Sequence, residues 1–201
     1  MNKYLLEEGE CGVDEAGRGP LIGRVYAGAV IWDYQGEVPI EIQDSKKLTK
    51  KKRQKILPWI KQNLPNHGVG YATVEEIDKF NILEATKLAM ERAIKNIPKL
   101  DTNKPVIIDG VRWENKIANY KITSLVKGDS KLLSIAAASI LAKEYHDDHI
   151  REICQEDPLL NDKYDLLKNM GYGTKKHIGG INNFGICKYH RKTFKPCSNY
   201  V

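Results

Sequence analysis

Cysteine is scarce in this chain, and its spacing excludes two common kinds of small-domain scaffold. Only four cysteines occur among 201 residues, at Cys11, Cys154, Cys187 and Cys197, and no CxxC pair is present. Disulfide frameworks and zinc ribbons depend on closely spaced cysteines, so reduced structural thiols are expected instead. A zinc site that gathers Cys187, His190 and Cys197 with His177 stays an alternative, although this spacing fits no standard zinc pattern.

Long apolar stretches are also missing. The longest apolar-rich run, Ser134 to Ala142, is under half the length that a membrane span requires. The first eight residues are too acidic and too poor in apolar side chains for a secretory signal. These absences favour an intracellular protein, cytoplasmic by default, with no membrane partner.

The chain has no internal repeat, no low-complexity tract and no obvious interdomain linker. Its length suits one packed domain with at most a small appendage. Lysine and arginine outnumber the acidic residues by 32 to 26, which leaves a net charge of +6. This excess is only a weak sign of a polyanionic partner, but the basic residues concentrate in two stretches, 46–55 and 175–195.

Hydrophobic patterning predicts strands and then alternating strands and helices, which is typical of an α/β layer architecture. Strands are predicted at 10–14, 24–32, 69–73, 105–109 and 120–126. Helices are predicted at 48–64, 74–80, 82–97 and 130–154. Thr49 is the expected N-cap of the first helix, and the small side chains at 136–139 would let the last helix lie close against a sheet.

An acidic pair near the start of the chain runs directly into a glycine-rich turn. Asp14 and Glu15 are adjacent, and like carboxylates are held together in a fold mainly where a cation binds. Gly17 and Gly19 would let backbone amides approach a phosphate or sugar closely, while Arg18 supplies a planar charged donor. The segment therefore predicts both a metal and a polynucleotide.

This turn has three competing interpretations. A dinucleotide-binding fingerprint fails because the glycine spacing is wrong and a strand-like segment comes next instead of a helix. A phosphate-binding P-loop fails because no GKS or GKT comes after the glycines. A simple turn capped by Asp14 stays open on spacing alone.

Two further carboxylates complete a candidate metal site. Asp109 ends the apolar run Val106 to Ile108, where an unpaired charge is costly without a cation or donor. Asp129 precedes the long predicted helix, so an ordinary N-cap is its competing interpretation. If both converge with Asp14 and Glu15, the four carboxylates would suit Mg²⁺ or Mn²⁺ in a two-metal site for phosphodiester hydrolysis.

Six motifs of the chain resemble those of ribonuclease HII. They are GVDEAGRGPLIG, DSKKL at 44–48, IIDG at 107–110, VKGDSK followed by IAAASILAK at 135–143, GYGTKKH at 171–177 and HRKTFKP at 190–196. They occur in the family's order and span residues 12–196. The resemblance implies a ribonuclease H-like fold, with a mixed central β-sheet flanked by helices. It divides the chain into a catalytic domain, 1–155, and a small helical, substrate-contacting region, 156–201, of the same compact unit.

The family resemblance also implies an activity: metal-dependent cleavage of RNA in RNA–DNA hybrids, including single ribonucleotides embedded in duplex DNA. The scissile bond would lie 5′ to the ribonucleotide, and a monomer would remove misplaced ribonucleotides and RNA primers. Asp14, Glu15, Asp109 and Asp129 match the family's four metal-binding catalytic acids.

The substrate-binding residues are carried over from the same motifs. Gly17, Arg18 and Gly19 match the turn that senses the ribose 2′-hydroxyl, which distinguishes RNA from DNA. Tyr172 matches the tyrosine that stacks on the sugar of the next deoxynucleotide. Lys46, Lys143 and Arg191 are expected to contact phosphate, although a solvated surface is an alternative for each.

The chain departs from the family pattern in two places. His146 stands where an arginine is usual, and Asn169-Met170 replaces a pair that ends in lysine. Asp147, beside His146, is expected to be a helix-surface acid, with tuning of the site as the alternative. None of these changes touches the four acids. Other candidates are a resolvase or integrase-like enzyme of the same fold, a hybrid-binding protein without catalysis, and a structural subunit of a larger assembly.

Overall fold

The computed structural model describes residues 9–39, 42, 45, 48–114, 117 and 119–201. Lys46, one of the predicted phosphate contacts, lies outside these residues. Within these described residues, five strands form one sheet: β1 (Cys11–Ala16), β2 (Val25–Ile31), β3 (His67–Ala72), β4 (Pro105–Asp109) and β5 (Lys121–Leu125). The same part of the chain contains six α-helices: α1 (Lys50–Asn63), α2 (Val74–Lys95), α3 (Leu133–Glu156), α4 (Leu159–Tyr164), α5 (Leu166–Asn169) and α6 (Lys175–Phe184).

The sheet is mixed, as the resemblance implied. Its strand order is β3-β2-β1-β4-β5, in which β1, β2 and β3 pair antiparallel while β1, β4 and β5 pair parallel. Because β1 and β4 run in the same direction, their carboxyl ends lie at the same edge of the sheet. The register places Val13 opposite Ile108, so the next residues along, Asp14 and Asp109, are neighbours.

Helix α3 lies unusually close to the middle of the sheet. A Cβ atom on Gly12 would sit 2.4 Å from the Ile135 nitrogen, and one on Gly28 would sit 2.4 Å from the Ala138 carbonyl oxygen. A larger side chain at either glycine would push the helix away, so these glycines and the alanines of α3 set the distance between the layers. This confirms the close approach predicted for 136–139.

Apolar side chains form a core on each face of the sheet. On one face α2 packs through residues such as Ala89 and Ala93, and on the other α1 and α3 pack together through Ile60 and Leu141. The break predicted between two helices within 74–97 is present as a kink at Asn81, whose φ is 72°. Among the residues described, no helix is both long and apolar enough to cross a membrane.

The helices after α3 build a third cluster beside the sheet edge that carries the acids. Tyr164 and Ile181 pack there against Ile150 and Ile153 of α3, together with Ile22 from the loop between β1 and β2. The C-terminal part of the chain therefore packs against one side of the loop that contains the glycine turn and leaves Arg18 and Gly19 exposed.

Candidate active site

Three acids from separate segments meet at the sheet edge. Asp14, Asp109 and Asp129 each place a carboxylate oxygen within 4.8 Å of the other two. Asp14 lies in β1, Asp109 ends β4, and Asp129 lies in a 3-10 turn over Gly128–Ser130. The amide of Gly128 donates to Asp109 Oδ1 at 2.7 Å, which ties the turn of the third acid to the strand of the second.

The alternative interpretation of Asp129 as a helix N-cap is wrong. Helix α3 begins at Leu133, its N-cap residue is Leu132, and no side chain of the described residues caps it. Asp129 is buried at 6% exposure and faces the other acids instead. The long helix starts later than the predicted residue 130 because the 3-10 turn uses those residues to present this carboxylate.

The electrostatics of Asp14 show that the cluster suits a cation. Burial first, and then the nearby charges of Glu15 and Asp109, raise the pKa of Asp14 well above its usual range. A carboxylate that resists ionisation among other oxygen ligands is stabilised when a hard divalent ion binds. The donor set therefore fits a divalent cation such as Mg²⁺ or Mn²⁺, which Asp14, Asp109 and Asp129 would hold.

Glu15, the fourth predicted acid, is not part of the group of three. Its carboxylate accepts from Arg18 Nη1 at 3.2 Å, and its backbone amide donates to Asp14 Oδ1 at 2.8 Å. Glu15 thus connects the acid cluster to the arginine of the glycine turn.

The glycine turn has a backbone that other residues adopt poorly. Gly17 has φ of 88°, and a Cβ atom at this position would lie 2.3 Å from Cδ2 of His146. Gly19 approaches the ring of Tyr172 so closely that its Cβ would lie 3.3 Å from Cε1. Tyr172 is 42% exposed, so its ring stands open beside the turn. The predicted ribose and junction contacts are neighbours.

The expectation that Arg191 contacts phosphate is wrong. Arg191 is fully buried, and its guanidinium donates to the carbonyl oxygens of Gly17, Arg18, Gly23 and Arg24 at 2.6–3.2 Å. A group with no exposed surface cannot meet a duplex. The prediction assumed that Arg191 is exposed, because an arginine in a basic stretch normally lies in solvent. This arginine instead lies beneath the glycine turn.

His146, Asp147 and Lys143 form a polar group on α3 below Tyr172. His146 is fully buried, with Nδ1 3.1 Å from Asp147 Oδ1, so this departure from the family pattern makes an internal hydrogen bond and has no surface for a phosphate. Asp147 is buried at 2% exposure, so the expected helix-surface role is also wrong. Its other oxygen accepts from Arg53 of α1 at 3.0 Å.

Lys143, another predicted phosphate contact, reaches both this buried polar group and the open site. Its Nζ lies 2.7 Å from Asp147 Oδ1 and 5.6 Å from the centroid of the Tyr172 ring. The side chain is 19% exposed, so the ammonium group is fixed by Asp147 and stays accessible to solvent.

Known proteins share both the sequence pattern and this fold. Residues 11–197 match the family model described as Ribonuclease HII. The chain belongs to the ribonuclease HII family. It is 48% identical to the ribonuclease HII of Chlamydia caviae over 211 aligned residues, which cover 100% of this chain and 94% of that protein.

Two solved structures show the same fold at lower identity. Ribonuclease H2 from Pyrococcus horikoshii OT3 superposes with a TM-score of 0.73 at 24% identity, covering 95% of this chain and 96% of that one. Bst-RNase HIII in complex with Mn²⁺ superposes with a TM-score of 0.63 at 17% identity, covering 87% and 69%. The predicted ribonuclease H-like α/β fold is confirmed.

Family membership establishes the general activity. Ribonuclease HII enzymes are ribonuclease H endonucleases that act on RNA–DNA hybrids, so this chain is a hydrolase of phosphodiester bonds. The alternative of a resolvase or integrase-like enzyme is not supported.

The cysteines and histidines of the C-terminal region do not form the alternative zinc site. All four cysteines are free thiols. Among the residues that the structure describes, the three aspartates are the group of potential metal ligands that converges. His177 and His190 instead contact each other, Nε2 to Nε2, at 3.1 Å. Sequence reasoning missed this pairing, although both residues stand in family motifs, because only the fold brings them together.

Stability should fall in acid partly because of His190. Burial lowers the pKa of His190 to about 4, so the folded chain keeps this ring neutral where the unfolded chain protonates it, near 6.5. The stability that comes from keeping His190 neutral is therefore complete above pH 6.5 and is lost as pH falls towards 4. Between pH 6.5 and pH 4 the unfolding free energy of the wild type should fall with decreasing pH more steeply than that of the His190→Gln variant. The difference between the two slopes should be about 1.4 kcal/mol per pH unit. Urea unfolding at several pH values measures this, and equal slopes would contradict it.

Proposed function

We propose that this chain cuts the phosphodiester 5′ to a ribonucleotide, in RNA–DNA hybrids and at RNA–DNA junctions in duplex DNA, leaving a 3′-hydroxyl and a 5′-phosphate. The observation that carries the proposal is the adjacency of three features. The acid cluster, the glycine turn and the exposed Tyr172 lie one after another within contact distance, through Glu15–Arg18 on one side and Gly19–Tyr172 on the other.

The glycine turn is suited to reading a single ribose. Its carbonyls are held from below by Arg191, so the backbone amides of Gly17 to Gly19 are kept in one orientation. A 2′-hydroxyl both donates and accepts hydrogen bonds, which lets a fixed turn separate ribose from deoxyribose. A deoxynucleotide would leave those polar groups without a partner.

Tyr172 then reads the nucleotide next to the ribose. A sugar with no 2′-hydroxyl can lie flat against an aromatic ring, whereas a ribose presents a polar group to it. Because the ring lies beside Gly19, close enough that a Cβ there would be 3.3 Å from Cε1, the two readings refer to neighbouring nucleotides. This supports a preference for RNA–DNA junctions and a role in removing ribonucleotides and RNA primers from DNA.

Hydrolysis itself depends on Asp14, Asp109 and Asp129, with Glu15 beside them. When bound there, divalent cations supply Lewis-acid stabilisation of the phosphodiester and of the departing oxygen, and lower the pKa of a water. The Bst-RNase HIII structure holds Mn²⁺, and the same ion or Mg²⁺ suits these oxygen ligands. The chain's own residues hold the ions, fix the ribose and keep Lys143 near the phosphate backbone.

Mapping the products tests this function. The purified chain is incubated in Mg²⁺ or Mn²⁺ with a labelled DNA duplex that carries one ribonucleotide, and with a duplex that carries a continuous RNA tract. We expect a cut on the 5′ side of the single ribonucleotide, with ligatable 3′-hydroxyl and 5′-phosphate ends. A cut 3′ to the ribonucleotide, or a 2′,3′-cyclic phosphate end, would refute the proposed chemistry.

A further inference from the structure

Two consecutive residues near the end of the chain, His190 and Arg191, lie beneath both substrate-reading elements. Each is fully buried. Their backbone runs alongside the segment after the glycine turn: the Gly23 amide donates to the Tyr189 carbonyl at 2.9 Å, and the Arg191 amide donates to the Leu21 carbonyl at 2.9 Å. On the opposite side of that segment, the Leu21 amide donates to the Gly171 carbonyl at 2.8 Å.

Arg191 spans the loop between β1 and β2. Nη2 donates to the Gly17 carbonyl at 2.6 Å and Nη1 to the Arg18 carbonyl at 3.0 Å. Nε donates to the Gly23 carbonyl at 2.9 Å, and Nη2 also reaches the Arg24 carbonyl at 3.2 Å. One planar fork therefore fixes the start and the end of the loop relative to each other, a task that a single ammonium group cannot perform.

His190 begins a chain of hydrogen bonds whose direction is determined. The Cys187 amide donates to His190 Nδ1 at 3.0 Å, so a neutral His190 carries its proton on Nε2. That N–H then donates to His177 Nε2 at 3.1 Å, which places the proton of His177 on Nδ1. His177 Nδ1 in turn donates to the Tyr172 carbonyl at 3.1 Å. Every polar atom along this relay has a partner of the opposite kind.

We propose that His190 and Arg191 are positioning residues that hold the ribose-reading turn and the junction-reading tyrosine in one fixed relation. Arg191 fixes the positions of the Gly17 and Arg18 carbonyls. His190 fixes the position of the Tyr172 backbone through its hydrogen bond to His177. The expected effect on cleavage rests on the proposed function, but the positioning of the two elements by hydrogen bonds does not depend on it. This positioning gives the C-terminal region a part in specificity through two buried side chains that do not themselves contact the substrate.

A matched pair of substitutions separates the relay from general packing. In His190→Asn the amide oxygen still accepts from Cys187, but the side chain is too short to reach His177. In His190→Gln the terminal amide occupies the place of Nε2 and can donate to His177, which restores the relay. Arg191→Lys keeps the charge and loses the fork.

Two measurements on the 201-residue chain test the proposal. The first compares kcat and KM for a single-ribonucleotide duplex with those for a continuous RNA tract. We expect Arg191→Lys to lower kcat at least about tenfold with KM nearly unchanged, because fixed orientation acts on the reacting geometry. His190→Asn should lower the preference for the junction by about tenfold, and His190→Gln should recover most of it.

The second measurement is hydrogen exchange, which needs no catalysis. Arg191→Lys should speed exchange at the amides of 17–24, and His190→Asn should do so at 171–174, while His190→Gln matches the wild type there. Unchanged exchange and unchanged selectivity in the soluble variants would overturn the proposal. If the wild type cuts no substrate, the proposed function fails, and the exchange pattern alone decides the positioning role. Should Arg191→Lys not fold, the His190 pair carries the test.

Discussion

Replacing Asp14 by asparagine should abolish cleavage and, without added metal, make the protein more stable. Cleavage should fall at least roughly 10³-fold, because a neutral amide oxygen binds a hard divalent ion much more weakly than a carboxylate does. The amide oxygen of the new side chain can still accept from the Glu15 amide, so the local backbone keeps its hydrogen bond. Single-turnover cleavage of a one-ribonucleotide duplex measures the loss.

The gain in stability results from the raised pKa of Asp14. Burial and the neighbouring acids raise this pKa, so the folded chain holds the proton more tightly than the unfolded chain does. Ionisation of Asp14 therefore costs stability increasingly as pH rises above its unfolded value of 3.8. Removing the charge removes that cost, and the unfolding free energy in EDTA at pH 7 should increase.

Asp162→Asn provides the control for the Asp14 substitution. It removes an exposed acid from α4 and should alter neither the rate nor the stability appreciably. If the Asp14 variant is both inactive and less stable, its inactivity would reflect damage to the fold instead of a lost metal ligand. An active Asp14 variant would remove this residue from the metal site altogether.

Alanine at Gly17 should cause the second large loss. The backbone there has φ of 88°, and the new Cβ would lie 2.3 Å from Cδ2 of His146. His146 cannot easily move away, because it is fully buried and its Nδ1 is held by Asp147. The turn must shift, and a displacement of about 1 Å can cost roughly 100-fold in rate. We expect that loss in kcat/KM, with little change in metal affinity.

Gly179→Ala provides the matched control for this substitution. Gly179 lies in α6 with open space where its Cβ would point. Alanine should stabilise the helix there by about 0.5–1 kcal/mol without changing the rate. A second His146→Ala change should recover part of the Gly17→Ala loss if the collision is the cause. Full activity of the single Gly17→Ala variant would show that the turn does not need its present shape.

The sequence was sufficient for features that depend on local pattern and order. Asp109 at the end of an apolar strand and Asp14 near the end of another predict a shared sheet edge, and the parallel pairing of β1 and β4 confirms it. Thr49 is the N-cap of α1 as expected, with its side chain accepting from Lys52. Asn81 interrupts α2 at the predicted break.

Burial could not be inferred from local pattern. Arg191, Asp147 and His146 all stand in polar surroundings along the sequence, yet each is at most 2% exposed. Their roles come from elements far apart in the chain, as when Arg191 meets the carbonyl of Gly17. The 3-10 turn at Asp129 likewise depends on the Asp109 contact to the Gly128 amide, which no sequence window contains.

The measurement that tests the central claim most directly uses two duplexes that differ by one oxygen atom. One carries a single ribonucleotide and the other carries the matching deoxynucleotide, with the same sequence and the same divalent ion. If the acids cut and the glycine turn selects the place, the first duplex is cut 5′ to the ribonucleotide and the second stays intact. Comparable cleavage of both duplexes would contradict the assignment of the turn as the ribose reader.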